Sequence, residues 1–237
     1  MKRQLKAMLY FFGTDMRHPF TIFWCILSAV IVLGLIAAYF LLNRIDGADF
    51  YFGISISVYI FASIFGFKSV KENLPYTLKL GGTRKNYFVG IGAYFTLVAI
   101  ITALMETVAH QLVTWITNLL TLDTFYLIHP ATLLDLQHSF WGRFLVDGVI
   151  LIFCLISSYL LALIFYKYHL IVGLSIIGAL FLTSLIMMAN GSLPDLISEL
   201  VINAALSQYG ILFIITVVCY LLTWPILRNI STKSVRE

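Results

Sequence analysis

The sequence predicts an all-α polytopic membrane protein with six transmembrane helices, an N-terminal interfacial helix and both termini cytoplasmic. Composition, the number of long apolar runs and the placement of the basic residues together predict this class. Of 237 residues, 61% are hydrophobic and 11% charged, where a soluble domain is roughly half apolar and a quarter charged. Mean hydropathy is +0.97. Too little polar surface is left to cover a water-soluble globule, which excludes a cytosolic enzyme, and disordered, collagen-like and coiled-coil chains go with it.

Residues 1–19 come first. Leu5, Met8, Leu9 and Phe12 recur at helical spacing while Lys2, Arg3 and Lys6 fall mostly elsewhere, the pattern of an amphipathic helix lying in the headgroup region. Arg17-His18-Pro19 should break it, because the residue before proline avoids the helical region. Six apolar runs follow, at 20–42, 50–67, 87–105, 144–166, 170–189 and 209–227, each near the roughly 20 helical residues that cross a hydrocarbon core of about 30 Å. The runs are continuous rather than alternating, which argues against a β-barrel. The first is too long for a signal-peptide core and lacks a small-residue cleavage pattern, so it is expected to be retained.

The third run can continue as a polar-tipped helix through Glu106, His110 and Gln111. The connection beyond it mixes Leu, Phe and Tyr with Asp and His over 121–140, as expected of short helices on the membrane surface. Asn190-Gly191-Ser192-Leu193-Pro194-Asp195 reads as a turn before an amphipathic helix at 196–206, and residues 228–237 form a tail. Ser157, Ser158, Ser175, Gly178 and Thr183 lie within runs, where small residues favour close helix packing.

Orientation follows from the cations. The N-terminal segment carries Lys2, Arg3, Lys6 and Arg17, the second connection Lys68, Lys71, Lys79, Arg84 and Lys85, the fourth Lys167, and the tail Arg228, Lys233 and Arg236. Of fifteen Lys and Arg, only Arg44 and Arg143 fall in the alternate connections, so the positive-inside rule places both termini in the cytoplasm. An even number of spans requires the same. The net charge of +4 is spread between apolar runs instead of along one stripe, which speaks against nucleic acid. Cys25, Cys154 and Cys219 all lie in apolar runs, so no disulfide framework is readable.

The second cytoplasmic connection, 68–86, is the most informative segment. In Glu72-Asn73-Leu74-Pro75-Tyr76-Thr77-Leu78-Lys79-Leu80-Gly81, Asn73 can cap a helix of about two turns, Pro75 suits its first turn, and Gly81-Gly82 supplies a left-handed stop. Such a helix presents Leu74, Tyr76 and Leu78 beside Glu72 and Lys79, a mixed knob suited to a protein groove. Thr83-Arg84-Lys85-Asn86 then opens the third span, with Arg84 and Lys85 placed near lipid phosphates.

The run Leu78-Lys79-Leu80-Gly81-Gly82-Thr83-Arg84-Lys85-Asn86-Tyr87-Phe88 resembles the permease subunits of type-2 ABC exporters (the ABC-2 family), in its small bacterial six-span class. The resemblance covers the chain in topology and about twenty residues in motif. It implies that 72–81 is a coupling helix seated in a separate ATP-binding subunit, and that two permease chains, as a homodimer or heterodimer, form the path. It also implies a bacterial cytoplasmic membrane and export of an amphipathic or apolar compound such as a peptide, drug or lipid. ATP and Mg would belong to the partner, and this chain would be no enzyme and carry no cofactor of its own. No Gly-x-x-x-x-Gly-Lys-Ser/Thr phosphate loop occurs in the sequence, in keeping with that division.

Arg143 and Asp147 stand four residues apart and can pair on one face of the fourth span, near its outer end. Glu106 with His110, Asp135 with His138, and His129 are metal-capable types, but they lack a His-Glu-x-x-His or Cys-x-x-Cys spacing, and no metal site is expected. An intramembrane hydrolase would need a Gly-x-Ser-x-Gly-like turn and a nearby histidine, whereas Gly53-Ile54-Ser55-Ile56-Ser57 lacks the second glycine. A non-transporting immunity or sensor-associated subunit is the main alternative to transport.

Overall fold

The computed structural model describes residues 2–45, 48–79, 81–122, 124–134, 139–195, 198 and 206–230. In chain order these form α1 (Lys2–Leu42), β1 (Phe50–Phe52), α2 (Ser55–Lys79), α3 (Arg84–Leu119), β2 (Phe125–Leu127), a 3-10 turn (Pro130–Leu134), α4 (Phe140–Ala189) and α5 (Leu206–Arg228). Among the described residues the fold is helical apart from the two three-residue strands, and four helices, α1, α3, α4 and α5, are long and apolar enough to cross a membrane.

Helix α4 is the hub, packing against α2, α3 and α5, while α1 lies mainly on α3. At 50 residues it would be about 75 Å long if straight. It is not straight: His169 takes φ 66 and ψ 173, and the Phe165 ring lies against Gly173. In a straight helix residues eight apart are about 12 Å apart, so the chain folds back at His169 into two limbs. This bend falls between the runs 144–166 and 170–189.

Where α2 crosses the first limb of α4, Gly66 meets the Leu155 carbonyl and the Ser158 hydroxyl so closely that a Cβ would collide with both. Glycine is what lets the two backbones touch there. Around this contact Leu74, Tyr87, Ile91, Phe95, Leu151, Leu155, Tyr159 and Leu163 are fully buried. Of the small residues expected to pack, Ser158 does so. Ser175 and Thr183 are exposed, and Gly178 faces open space, because the second limb has little protein around it.

The break expected at Pro19 is absent. Helix α1 is continuous across it, although proline removes one intrahelical N–H and crowds the carbonyl four residues back. Packing outweighs that cost: Met8, Phe12 and Met16 form one buried stripe, Phe12 meets Tyr87 and Tyr94 edge-on or tilted, and the Tyr94 hydroxyl donates to the Phe12 carbonyl at 2.8 Å. Residues 2–19 therefore lie against protein as well as facing outward. At 41 residues α1 is about 60 Å long, twice the thickness of a hydrocarbon core.

The second apolar run begins differently from its expected start at residue 50. Phe50–Phe52 is a strand paired in parallel with Phe125–Leu127, and α2 starts only at Ser55. Phe50 stacks on Phe125 and Tyr51 on Tyr126, with ring centroids 5.5 and 5.2 Å apart. The helix expected at 196–206 lies largely outside the described residues.

The two ends of the described chain meet at one end of the bundle. Gln4 accepts from the Asn86 side chain at 2.6 Å. Arg84 donates to the carbonyls of Arg228 and Ile230 at 2.8 and 2.6 Å.

Candidate functional site

Two places gather the residues singled out by the sequence. The first is the corner between α2 and α3. Gly81 takes φ 78, its N–H bonds the Leu78 carbonyl at 3.2 Å, and the Gly82 N–H bonds the Thr77 carbonyl at 3.0 Å. These are the two bonds of a Schellman ending. Thr83 then caps α3 by accepting from the Asn86 N–H at 3.2 Å.

The segment 73–79 is not a separate capped helix. It is the last part of α2, with Pro75 inside, and Asn73 lies mid-helix, buried, with its side-chain oxygen unpartnered. Leu74 and Thr77 also point inward, since they continue the buried face that α2 turns to the bundle. What the corner presents is Glu72, Tyr76 and Lys79, with Pro75 and Leu78 half-buried. Leu80 lies outside the described residues.

Tyr76 is 46% exposed and stacks on Phe11 of α1 at 4.3 Å. Glu72 pairs with Lys68 one turn back at 3.1 Å, an exposed i,i+4 contact worth little. Arg84 turns its side chain to the end of α5. Its guanidinium fork holds the C-terminal carbonyls of α5, groups that a helix end leaves without partners. Lys85 is exposed.

The second place is a buried polar cluster at the opposite end of the bundle, beside β1 and β2. Helix α2 supplies Ser55 and Tyr59, α3 supplies Glu106, His110 and Gln111, the segment after β2 supplies His129, and α4 supplies Arg143 and Asp147. Glu106 and Asp147 are 0% exposed, and Arg143 and His129 are 2%.

Arg143 and Asp147 do not pair with each other. The Tyr59 hydroxyl donates to Asp147 Oδ1 at 2.7 Å, and His129 Nε2 lies 3.1 Å from Oδ2. Arg143 reaches across to α3, where His110 Nδ1 is 2.8 Å away and the Gln111 side-chain oxygen accepts a second bond. Partners on other helices win because both side chains are buried, and each element packed against α4 offers a complementary group.

The partners assign both imidazole tautomers. The Ala131 N–H donates to His129 Nδ1 at 2.9 Å, so this nitrogen is an acceptor and Nε2 carries the proton given to Asp147. Arg143 can only donate, so His110 Nδ1 is likewise an acceptor and its proton sits on Nε2. That Nε2 has no partner, nor do Arg143 Nε, the Ser55 hydroxyl or either oxygen of Glu106. Ser55 bonds neither histidine, so a serine–histidine couple is not formed here.

One ligand atom each from Glu106, His129 and Asp147 falls within 4.8 Å of the others, a grouping the spacing in sequence does not foretell. Its donor set fits a metal poorly. A metal-bound histidine normally donates its second nitrogen's proton, whereas His129 Nδ1 faces an N–H donor. Asp135 and His138 lie outside the described residues.

Beside His110 the cluster opens toward a cavity of about 490 Å³ whose lining includes Tyr51, Thr114, Thr117, Asn118 and Thr132. A second cleft, about 540 Å³ and almost wholly apolar, runs between α3, α4 and α5 past Phe88, Gly92, Ile156, Phe213 and Tyr220. Tyr59 is the cluster member that sequence reasoning did not name at all. Tyr59 is 88 residues from its partner Asp147, and that separation leaves no local spacing to read.

No protein-family model matches the chain, and no curated protein or solved structure matches it either.

Proposed function

We propose that this chain is the permease subunit of an ATP-driven ABC exporter of the ABC-2 type in a bacterial cytoplasmic membrane. In this reading α1, α2, α3, the two limbs of α4 and α5 are six crossings, with the basic connections and both termini in the cytoplasm. Two such chains and separate ATP-binding subunits complete the machine, and ATP and Mg are held by the partner. The cargo is amphipathic or apolar, a peptide, drug or lipid, for which the apolar cleft between α3, α4 and α5 offers space.

The observation that carries the reading is the α2–α3 corner. Its outward residues Glu72, Tyr76 and Lys79 stand on a helix end whose inward residues Leu74 and Thr77 are anchored in the bundle. The same corner touches α1 through Phe11, and Arg84, at the start of α3, holds the end of α5. A displacement imposed there by a partner is thus delivered to four helices, which is what coupling requires.

The test is co-purification of the tagged chain with its ATP-binding partner. Tyr76→Asp should insert and accumulate normally. It should bind the partner about thirtyfold or more weaker, as a charge pressed into an apolar groove costs roughly 2–5 kcal/mol. Wild-type recovery of the ATPase with unaltered ATP turnover would remove the corner from the coupling path. ATP hydrolysis by the rigorously purified single chain would remove the subunit assignment altogether.

A further inference from the structure

We propose that Glu106 and Asp147 together form a proton-binding site reached from the β1–β2 end of the bundle. The proposal rests on the chain lying in a membrane and is independent of the ATPase partnership. Its starting point is an imbalance between two neighbouring carboxyls. Asp147 receives the Tyr59 hydroxyl and the His129 Nε2–H, the surroundings of an ionised acceptor. Glu106, with an oxygen within 4.8 Å of an Asp147 oxygen, is fully buried and makes no well-formed hydrogen bond at either oxygen, with the Ser55 hydroxyl as a neighbouring donor.

The charged and titratable groups on every side can be counted. Helix α2 contributes Tyr59. Helix α3 adds His110 beside Glu106 itself, and the segment after β2 adds His129. Helix α4 supplies Arg143 and Asp147, and α5 supplies Tyr209, within electrostatic reach of Asp147. Both histidines have Nδ1 turned to a donor and offer the cluster only an Nε2–H, so among the described residues Arg143 is the cation of the cluster. With Glu106 and Asp147 both ionised, the cluster holds an uncompensated negative charge in a dry interior, an arrangement that burial penalises heavily. One proton shared by the two carboxyls removes it.

Two other ways of satisfying Glu106 fit less well. A divalent cation would draw on the His129 ring, whose Nδ1 already accepts the Ala131 N–H and leaves no lone pair free at Nε2. A direct bond to Arg143 is not made, because that guanidinium is spent on His110 and Gln111. Access for a proton is provided. The cavity of about 490 Å³, lined in part by Thr114, Thr117, Asn118 and Thr132, has His110 in its wall, and His110 stands one helical turn beyond Glu106 on the same face of α3.

Infrared spectroscopy of the full chain in lipid nanodiscs tests this directly. A protonated carboxyl shows a C=O stretch that an ionised one lacks. The wild type at neutral pH should show a buried acid band that shifts with carboxyl-labelled glutamate, and Glu106→Gln should lose that band completely. In proteoliposomes, acidifying only the compartment facing β1 and β2 should change the band, and acidifying the other compartment should not. Absence of an acid band in the wild type, a band that follows labelled aspartate alone, or a band undiminished in Glu106→Gln would overturn the proposal. If Glu106→Gln fails to fold, the labelled wild type decides by itself. Stabilisation of the wild type, but not of Asp147→Asn, by added zinc or manganese would also overturn it in favour of a cation site.

Discussion

Replacing Asp147 with alanine would remove the acceptor that Tyr59 and His129 share and leave two donors stranded beside Arg143. We expect a loss of about 3–5 kcal/mol, the range for breaking one side of a buried charged contact. Tyr59→Phe should cost only about 1 kcal/mol, since the hydroxyl leaves together with its need for a partner. Thermal unfolding of the purified variants in detergent measures both. At the far end of the bundle, Arg84→Ala should free the carbonyls of Arg228 and Ile230, cost about 1.5–3 kcal/mol and speed amide exchange in the last turn of α5. Unchanged exchange there would mean that the fork carries no load. The residue types were readable at this scale, for Glu106, His110, Arg143 and Asp147 all stand out in an apolar chain. Their partners were not: sequence spacing suggests the i,i+4 pair of Arg143 with Asp147, whereas the bonds made run between helices separated by tens of residues.

Among elements, α2 gives the sharpest contrast. Gly66→Ala would place a methyl against the Leu155 carbonyl and the Ser158 hydroxyl, and overpacking of this kind costs about 1–3 kcal/mol. Gly148→Ala, where a Cβ meets nothing within 4 Å, should instead stabilise by roughly 0.5–1 kcal/mol through the unfolded chain and helix propensity. Equal melting temperatures for the two variants would contradict the close approach of α2 and α4. The left-handed end of α2 at Gly81 could be read from Gly-Gly, and Met8 and Phe12 of the buried α1 stripe from their spacing. Pro19 and Pro75 misled because each lost N–H is a local cost, while the contacts that keep the helix whole, Tyr94 on Phe12 and Leu74 in the core, come from distant segments. The strands escaped notice because Phe-Tyr-Phe and Phe-Tyr-Leu are too short to show alternation.

At the scale of the whole molecule, the six-crossing arrangement has a test of its own. A cysteine placed at Tyr126, on β2, should react with an impermeant reagent in intact cells, and one at Lys79 should react only after permeabilisation. The reverse pattern would invert the protein in its membrane. Nothing in composition alone separates four long apolar helices from six crossings. In the proposed reading the basic connections and the fold-back at His169 carry that distinction.

The pairing of β1 with β2 also bears on how the protein is made. β1 emerges from the ribosome before α2 and α3, and its partner only after both, so, in the proposed six-crossing reading, the aromatic pairs Phe50–Phe125 and Tyr51–Tyr126 cannot close until that helical hairpin is threaded through the bilayer. Until then Phe50–Phe52 is a bare, sticky edge of the kind that quality-control proteases and chaperones recognise. In that reading, closure of this small clasp marks the moment at which the first half of the chain is correctly inserted, and slow threading of α2 and α3 would lengthen the period in which the nascent protein is open to degradation.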